Sequence, residues 1–417
     1  MRYIIEGGRK LEGKITVAGN KNSVFPCVAA ALLTNQEVVL KNVPDIADTK
    51  VLIEILESIG VDVQRSKDTV SITANKIKHV LPRELMAKLR GSIVLVGAIL
   101  ARAGRVQFYH PGGDVIGRRG IEVHLEGFQK LGADYEQDDL NYKIICKSGS
   151  KQGANIFLPE RSVTATENLI LFSALGKKEV TLRNCASEPH VVDLCHMLVK
   201  MGVGVSGIGT DTLIIKGTSK PKGVTFKIRA DYIEIATYAV AAAITKGQIT
   251  LVGLDDTDLD PILLPIKKFG VAVEVLDRQV TFRAGNLKAV PALITNVWPG
   301  FPTDLMSVFI VLASQSHGVS LCHDWMFESR MFFVDKLMLM GANVTIADPH
   351  RVFVYGPTLL KGRELETPDI RAGMALVLAA VVAKGQSIIN KAELIERGYE
   401  DPVARLTALG AVIKREI

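Results

Sequence analysis

Six glycines at nearly even intervals constrain the fold of this chain more than any other feature. Gly60, Gly132, Gly202, Gly270, Gly341 and Gly410 are separated by 72, 70, 68, 71 and 69 residues. Each ends a helix-like stretch and is followed at once by a strand-like one, as in Ser58-Ile59-Gly60-Val61-Asp62-Val63 and Leu339-Met340-Gly341-Ala342-Asn343-Val344. A glycine in that place predicts a left-handed residue just past a helix C-terminus, which other residues adopt only with strain. Upstream, a small-residue apolar helix leads to a β-branched strand. Val240-Ala241-Ala242-Ala243-Ile244 precedes Gln248-Ile249-Thr250-Leu251, and Met374 to Ala383 precedes Gln386-Ser387-Ile388-Ile389. Helices apolar on every side predict burial at a domain centre. The 417 residues therefore read as six copies of an α/β (α+β) unit of about 70 residues. Repeats often stack as a solenoid, but this unit is long for one, and two clusters of three account better for the recurrent apolar helices. A chain of this length also exceeds what one core organises.

Composition narrows the function. A net charge of +6 is spread over the chain, aromatics are only 6%, and no Lys/Arg run carries interleaved aromatics. A nucleic-acid platform is therefore not expected, whereas an anionic small substrate is compatible. Five scattered cysteines without a C-x-x-C pair argue for a reducing compartment and against disulfides or a zinc site. The N-terminus reads as a strand and not as a signal peptide, and the apolar run Met374 to Ala383 falls short of a membrane span. The expectation is a cytoplasmic protein with no membrane contact, no metal and no obligate protein partner. Gly202-Val203-Gly204-Val205-Ser206-Gly207 matches G-x-G-x-x-G, but it follows a helix where a dinucleotide fingerprint follows a strand.

What remains is a set of cations and carboxylates beside glycines and prolines. Residues 110 to 124, from His110-Pro111-Gly112-Gly113-Asp114 through Gly117-Arg118-Arg119-Gly120 to Ile121-Glu122-Val123-His124, read as a glycine-hinged loop. Its acid and two arginines suit an anionic substrate that is enclosed and protonated; a solvated surface turn is the plainer reading. Lys21 lies in a polar turn before an apolar helix, and Arg90, Arg371 and Arg397 have similar settings. Singly, each also fits a helix-terminus charge or a salt-bridged loop. In Pro302-Thr303-Asp304, Thr303 or Asp304 is either the cap of the helix that follows or, for Asp304, a general base.

Together these residues resemble the enolpyruvyl transferases, above all the branch that acts on a UDP-sugar. The resemblance spans essentially the whole chain. It rests on Gly19-Asn20-Lys21-Asn22, Pro111-Gly112-Gly113, Gly117-Arg118-Arg119, Ser162-Val163-Thr164-Ala165-Thr166 and Phe301-Pro302-Thr303-Asp304. Phe327-Glu328-Ser329-Arg330, Asp369-Ile370-Arg371-Ala372 and Arg397-Gly398-Tyr399-Glu400 complete it. It implies an inside-out α/β barrel of two domains with three repeats each. Residues 21–229 would form one domain carrying a mobile loop at about 110–121, residues 1–20 and 230–417 the other, with the active site in the cleft between them. The implied reaction transfers the enolpyruvyl group of phosphoenolpyruvate to the 3-hydroxyl of UDP-N-acetylglucosamine, releases phosphate, opens peptidoglycan synthesis and needs no cofactor.

By the same resemblance, Asp114, Asp304, Lys21 and Arg397 are catalytic, with Asp304 as the base. Lys21, Arg119 and Arg397, with Arg90 nearby, meet phosphate, and Arg330 and Arg371 meet the carboxylate of phosphoenolpyruvate. Asn22, Met326 and Phe327 face the sugar. Arg90, Arg119, Gly120, Ile121, Glu122 and Val123, with Ser162, Val163 and Thr164, hold the uridine and diphosphate, and Asp304 also touches the sugar substrate. Two positions depart from the usual pattern. Asp114 stands where most members have cysteine, which implies insensitivity to fosfomycin and a more acidic pH optimum. Glu160 stands where a lysine is common, a like charge beside the diphosphate unless Arg161 takes over. A shikimate-type enolpyruvyl transferase and a non-catalytic UDP-sugar-binding paralogue are the alternatives.

Overall fold

A computed structural model describes residues 1–114, 116–146, 153–176, 178–254 and 259–417; Val115 of the glycine-hinged loop lies outside the described residues. The chain divides into two compact units. The first comprises Met1–Ala18, Asp114–Arg118 and Ala230–Ile417, the second Gly19–Gly113 and Arg119–Arg229.

In the first unit the described residues form three four-stranded sheets. In one, strand Gly318–His323 runs antiparallel to Arg351–Gly356, with Leu321 opposite Phe353, and parallel to Ala292–Ile294. A parallel neighbour demands a crossover, and the apolar helix Met306–Ser314 supplies it. Every residue of that helix is buried, as is every residue of Tyr232–Ile244 and nearly every one of Ile370–Val382. Met306–Ser314 packs against both of the other two. None of the three has a polar face to offer water, so they fill the core while the sheets cover them.

The second unit has the same logic around the helices Lys21–Ala31, Leu95–Ala103 and Val163–Ser173. Its described sheets number two of four strands and one of three, the last joined by a single parallel bridge between Val80 and Gln107. Buried Asn168 ties two of the helices together. Its Oδ1 accepts from Gly97 N at 2.6 Å and its Nδ2 donates to Ile93 O at 3.0 Å.

All six junction glycines have positive φ, from +88° at Gly270 to +102° at Gly341. Gly202 ends a helix and Gly204–Ser206 is a strand, so the G-x-G-x-x-G match is a helix stop and not a nucleotide cradle. No helix among the described residues is long and apolar enough to cross a membrane.

One buried carboxylate makes stability pH-dependent. Glu234, in the first turn of Tyr232–Ile244, accepts from Ala18 N at 2.7 Å and pairs with Arg405 at 2.9 Å. Burial outweighs the opposing Arg405 and Ala18 N–H and, with Asp231 and Glu400 adding to it, brings this carboxyl up to about 7. Between the unfolded value of about 4.3 and that point the folded chain holds a proton the unfolded chain has released, so stability falls as pH rises through the window. Glu234→Gln is expected to lack this part of the pH dependence, roughly 2–4 kcal/mol. Urea unfolding of both proteins from pH 4.5 to 8 measures it, and parallel stability curves would count against it.

Candidate active site

The buried helices of the first unit begin at carboxylates. Asp231 caps Tyr232–Ile244 and Asp369 caps Ile370–Val382, each accepting backbone N–H bonds at 2.8–3.0 Å. At the third helix neither Thr303 nor Asp304 makes a cap bond. The short 3-10 turn Thr303–Leu305 leads into Met306–Ser314 without any side-chain cap bond. Asp304 instead faces two arginines: Oδ1 lies 3.0 Å from Arg330 Nη2 and Oδ2 lies 3.3 Å from Arg371 Nη2. Both arginines are almost wholly buried, while the Asp304 side chain keeps 28% of its surface exposed. The carboxylate is thus held at the helix foot yet open to a reactant, which favours the base over the cap.

The arginines are arranged for more than this pair. Arg330 stacks over Phe327 at 5.6 Å and Arg371 over Tyr399 at 5.4 Å. Arg330 Nε and Arg371 Nη1 are buried with no hydrogen-bond partner among the described residues. Burial works to lower the Arg371 pKa, but Asp304, Tyr399 and Asp231 outweigh it and the guanidinium stays charged. The carboxyl of Asp369 is pushed up, mainly by burial and further by Asp114, against the pull of Arg330 and the backbone N–H groups.

Asp114, Ile116 and Arg118 are tied to this unit by specific contacts. Asp114 Oδ1 lies 2.7 Å from Arg397 Nη1 at the end of the turn Ala392–Arg397, and both side chains are about four-fifths buried. Arg118 N donates to Glu328 Oε1 at 3.0 Å, and Ser329 N donates to Ile116 O at 3.1 Å. Gly117 has φ +141°, and a Cβ there would meet Glu328 Oε2 at 2.4 Å, so this contact requires glycine. Met326 and Phe327 lie in the same turn.

The second unit gathers the other candidates. Asn20 caps Lys21–Ala31, with Lys21 as its first residue and half-buried Asn22 as its second; Lys21 Nζ pairs with buried Asp48 at 2.6 Å. Arg90 opens the turn Arg90–Val94 and donates to Gly120 O at 2.8 Å. Its pKa comes down to about 10, through burial and then the charge of Arg119, with Glu122 opposing. Two like charges held together in this way could accommodate an anion. A Cβ at Gly113, whose φ is +119°, would lie 2.8 Å from the Arg90 Cβ.

Ile121 precedes the helix Glu122–Lys130, which carries Glu122, half-buried Val123 and buried His124. His124 Nε2 meets Thr164 Oγ1 at 3.0 Å, joining the 119–124 segment to Ser162, Val163 and Thr164, where Ser162 caps Val163–Ser173. Burial, then Arg90, bring the His124 pKa down to about 3, so the imidazole is neutral near pH 7. Glu160 is exposed. Arg161 contacts Asp211 Oδ2 and Asn184 Oδ1, each at 3.4 Å.

Several residues of these clusters escape a reading of the sequence. Asp231 repeats the pattern of Asp304 and Asp369, an acid just before a wholly apolar helix, and that recurrence was a usable signal. Asp48, which pairs with Lys21, and Asp324, which binds Thr303, leave no local trace.

The sequence profile of the family described as EPSP synthase (3-phosphoshikimate 1-carboxyvinyltransferase) matches residues 5–406. The chain belongs to this family. Within the EPSP synthase family it is 44% identical over 422 residues to the UDP-N-acetylglucosamine 1-carboxyvinyltransferase of Borrelia garinii, covering 99% of this chain and 98% of that one. It is also 44% identical over 425 residues to the protein of the same name from Bradyrhizobium diazoefficiens, covering 100% and 98%. Among solved structures, the enolpyruvyl transferase NikO from Streptomyces tendae superposes with a TM-score of 0.89 at 24% identity over 99% of this chain and 98% of that chain. That likeness supports the mixed α/β fold.

Proposed function

We propose that the chain transfers the enolpyruvyl group of phosphoenolpyruvate to the 3-hydroxyl of UDP-N-acetylglucosamine, releasing phosphate and supplying peptidoglycan synthesis. The observation that carries this reading is Asp304, a part-exposed carboxylate held between two buried arginines. The relatives that share 44% of the sequence support the choice of substrates. The fold that accompanies this reading is an inside-out α/β barrel of six repeats, three to a domain; the six positive-φ glycines and the buried helices support it.

In this reading Asp304 takes the proton of the 3-hydroxyl as its oxygen bonds to C2 of phosphoenolpyruvate, and the C2–C3 π pair takes a proton at C3 from Asp114. In the second half a proton leaves C3, the double bond re-forms, and the C2–O bond to phosphate breaks with its electron pair. Lys21, Arg119 and Arg397 neutralise the departing phosphate. Arg330 and Arg371 hold the carboxylate, for which bidentate guanidinium pairing is well matched. Arg90 and Arg119 take the diphosphate, and Gly120–Val123 with Ser162–Thr164 take the uridine. Asn22, Met326 and Phe327 orient the sugar. Neutral His124 adds a hydrogen bond to this set and no charge.

Phosphate release with phosphoenolpyruvate and either UDP-N-acetylglucosamine or shikimate 3-phosphate tests the proposal. Release is expected with the nucleotide sugar alone. Release with the shikimate acceptor makes the chain a shikimate-type transferase, the second reading favoured by the family profile. Binding of the nucleotide sugar without release makes it a non-catalytic paralogue.

A further inference from the structure

We propose that Asp324, acting through Thr303, is the positioning residue that sets Asp304 against Arg330; this deepens the transfer reading above and rests on it. Asp324 is fully buried at the end of strand Gly318–His323. Its backbone is fixed on the turn at His350, with Asp324 N donating to His350 O at 2.9 Å and Asp324 O meeting His350 Nδ1 at 2.7 Å. A buried carboxylate is costly unless donors surround it, and this one has four. Oδ1 accepts from Met326 N at 3.0 Å, Thr295 Oγ1 at 3.3 Å and Phe327 N at 3.4 Å, and Oδ2 accepts from Thr303 Oγ1.

Two of these arms reach the same ion pair from opposite sides. Thr303 is the chain neighbour of Asp304. Met326 and Phe327 begin the turn that ends at Arg330, whose guanidinium lies over Phe327 and 3.0 Å from Asp304. The Thr303 hydroxyl is not used as a helix cap, since the turn Thr303–Leu305 has no side-chain cap bond. One buried carboxylate therefore fixes both the base and one of its cations. Displacing a reacting group by about 1 Å costs on the order of 10²-fold in rate.

Thr303→Val removes the hydroxyl and keeps the shape of the side chain, while Thr303→Ser keeps the hydroxyl. In the phosphate-release assay Thr303→Val is expected to lower kcat by roughly 10–100-fold, to leave KM for both substrates within about twofold, and to leave the melting temperature nearly unchanged. Thr303→Ser is expected to restore most of the rate. Thr303→Ala, which also removes the hydroxyl and relieves any crowding by a valine methyl, decides the matter should the valine variant not fold, and the same loss of kcat without a change in KM is expected. A valine variant with wild-type kcat would overturn the proposal. So would parallel losses in kcat, KM and melting temperature, or a serine variant no faster than the valine one. Wild-type protein that releases no phosphate overturns the functional reading and the positioning role with it, whereas active wild type with an unaffected Thr303→Val sinks the positioning role alone.

Discussion

Asp304→Asn is expected to slow phosphate release by about 10²–10⁴-fold, the usual contribution of a positioned general base. The variant preserves size and leaves an amide oxygen for Arg330, but it removes the group that accepts the 3-hydroxyl proton. Substrate binding should respond differently. In wild type the Asp304 carboxylate lies on Arg330 and Arg371, 3.0 and 3.3 Å away, and these are the cations proposed to hold the carboxylate of phosphoenolpyruvate. Asparagine brings no negative charge to compete for them, so phosphoenolpyruvate should bind as tightly or more tightly while turnover collapses. Single-turnover kinetics together with calorimetric titration separate the two effects. A rate within tenfold of wild type would show that Asp304 does not take the proton.

Asp114 carries the second large effect. Asp114→Asn removes the proposed proton donor and the carboxyl that contacts Arg397 at 2.7 Å, and a loss of about 10²–10⁴-fold in kcat is expected. Asp114→Cys should retain turnover and move the pH–rate profile upward. Thiols as a class titrate near 8.5 and carboxyls near 3.9, so a thiol donor keeps its proton to higher pH. The same substitution should create sensitivity to fosfomycin, visible as time-dependent inactivation and as an adduct on residue 114 by mass spectrometry. Wild-type protein should show neither. An adduct on the wild-type loop, or an unmoved profile in the cysteine variant, would remove Asp114 from the role of acid.

The junctions of this fold are legible in the sequence because a left-handed residue after a helix leaves a chemical mark, a glycine, each time it recurs. The buried helices are legible because they lack a polar face. The site is harder to read, because its parts become meaningful only in pairs. Pro302-Thr303-Asp304 reads equally as a helix cap or as the setting of a general base. What separates the two is the arrival of Arg330 and Arg371, 26 and 67 residues further along the chain. Asp324 lies in a strand end with no motif of its own, and Asp48 lies in an ordinary amphipathic helix; long-range pairing alone gives them significance. Arg161 shows the converse. Its position beside Glu160 invites a compensating role, but its contacts with Asp211 and Asn184 are invisible in the sequence.

The helix beginnings also divide an electrical task between the units. Aligned peptide dipoles place roughly half a positive charge at the N-terminus of each helix. In the first unit Asp231 and Asp369 sit on two of these ends and Asp304 beside the third, so the local field is largely cancelled before any reactant arrives. In the second unit the caps of Lys21–Ala31 and Val163–Ser173 are Asn20 and Ser162, which carry no charge, and neither helix has an acid in its first turn. Under the proposed reaction, the helix ends without an acid would add to the pull on a polyanionic nucleotide, and the acid-capped ends would leave proton handling to the side chains.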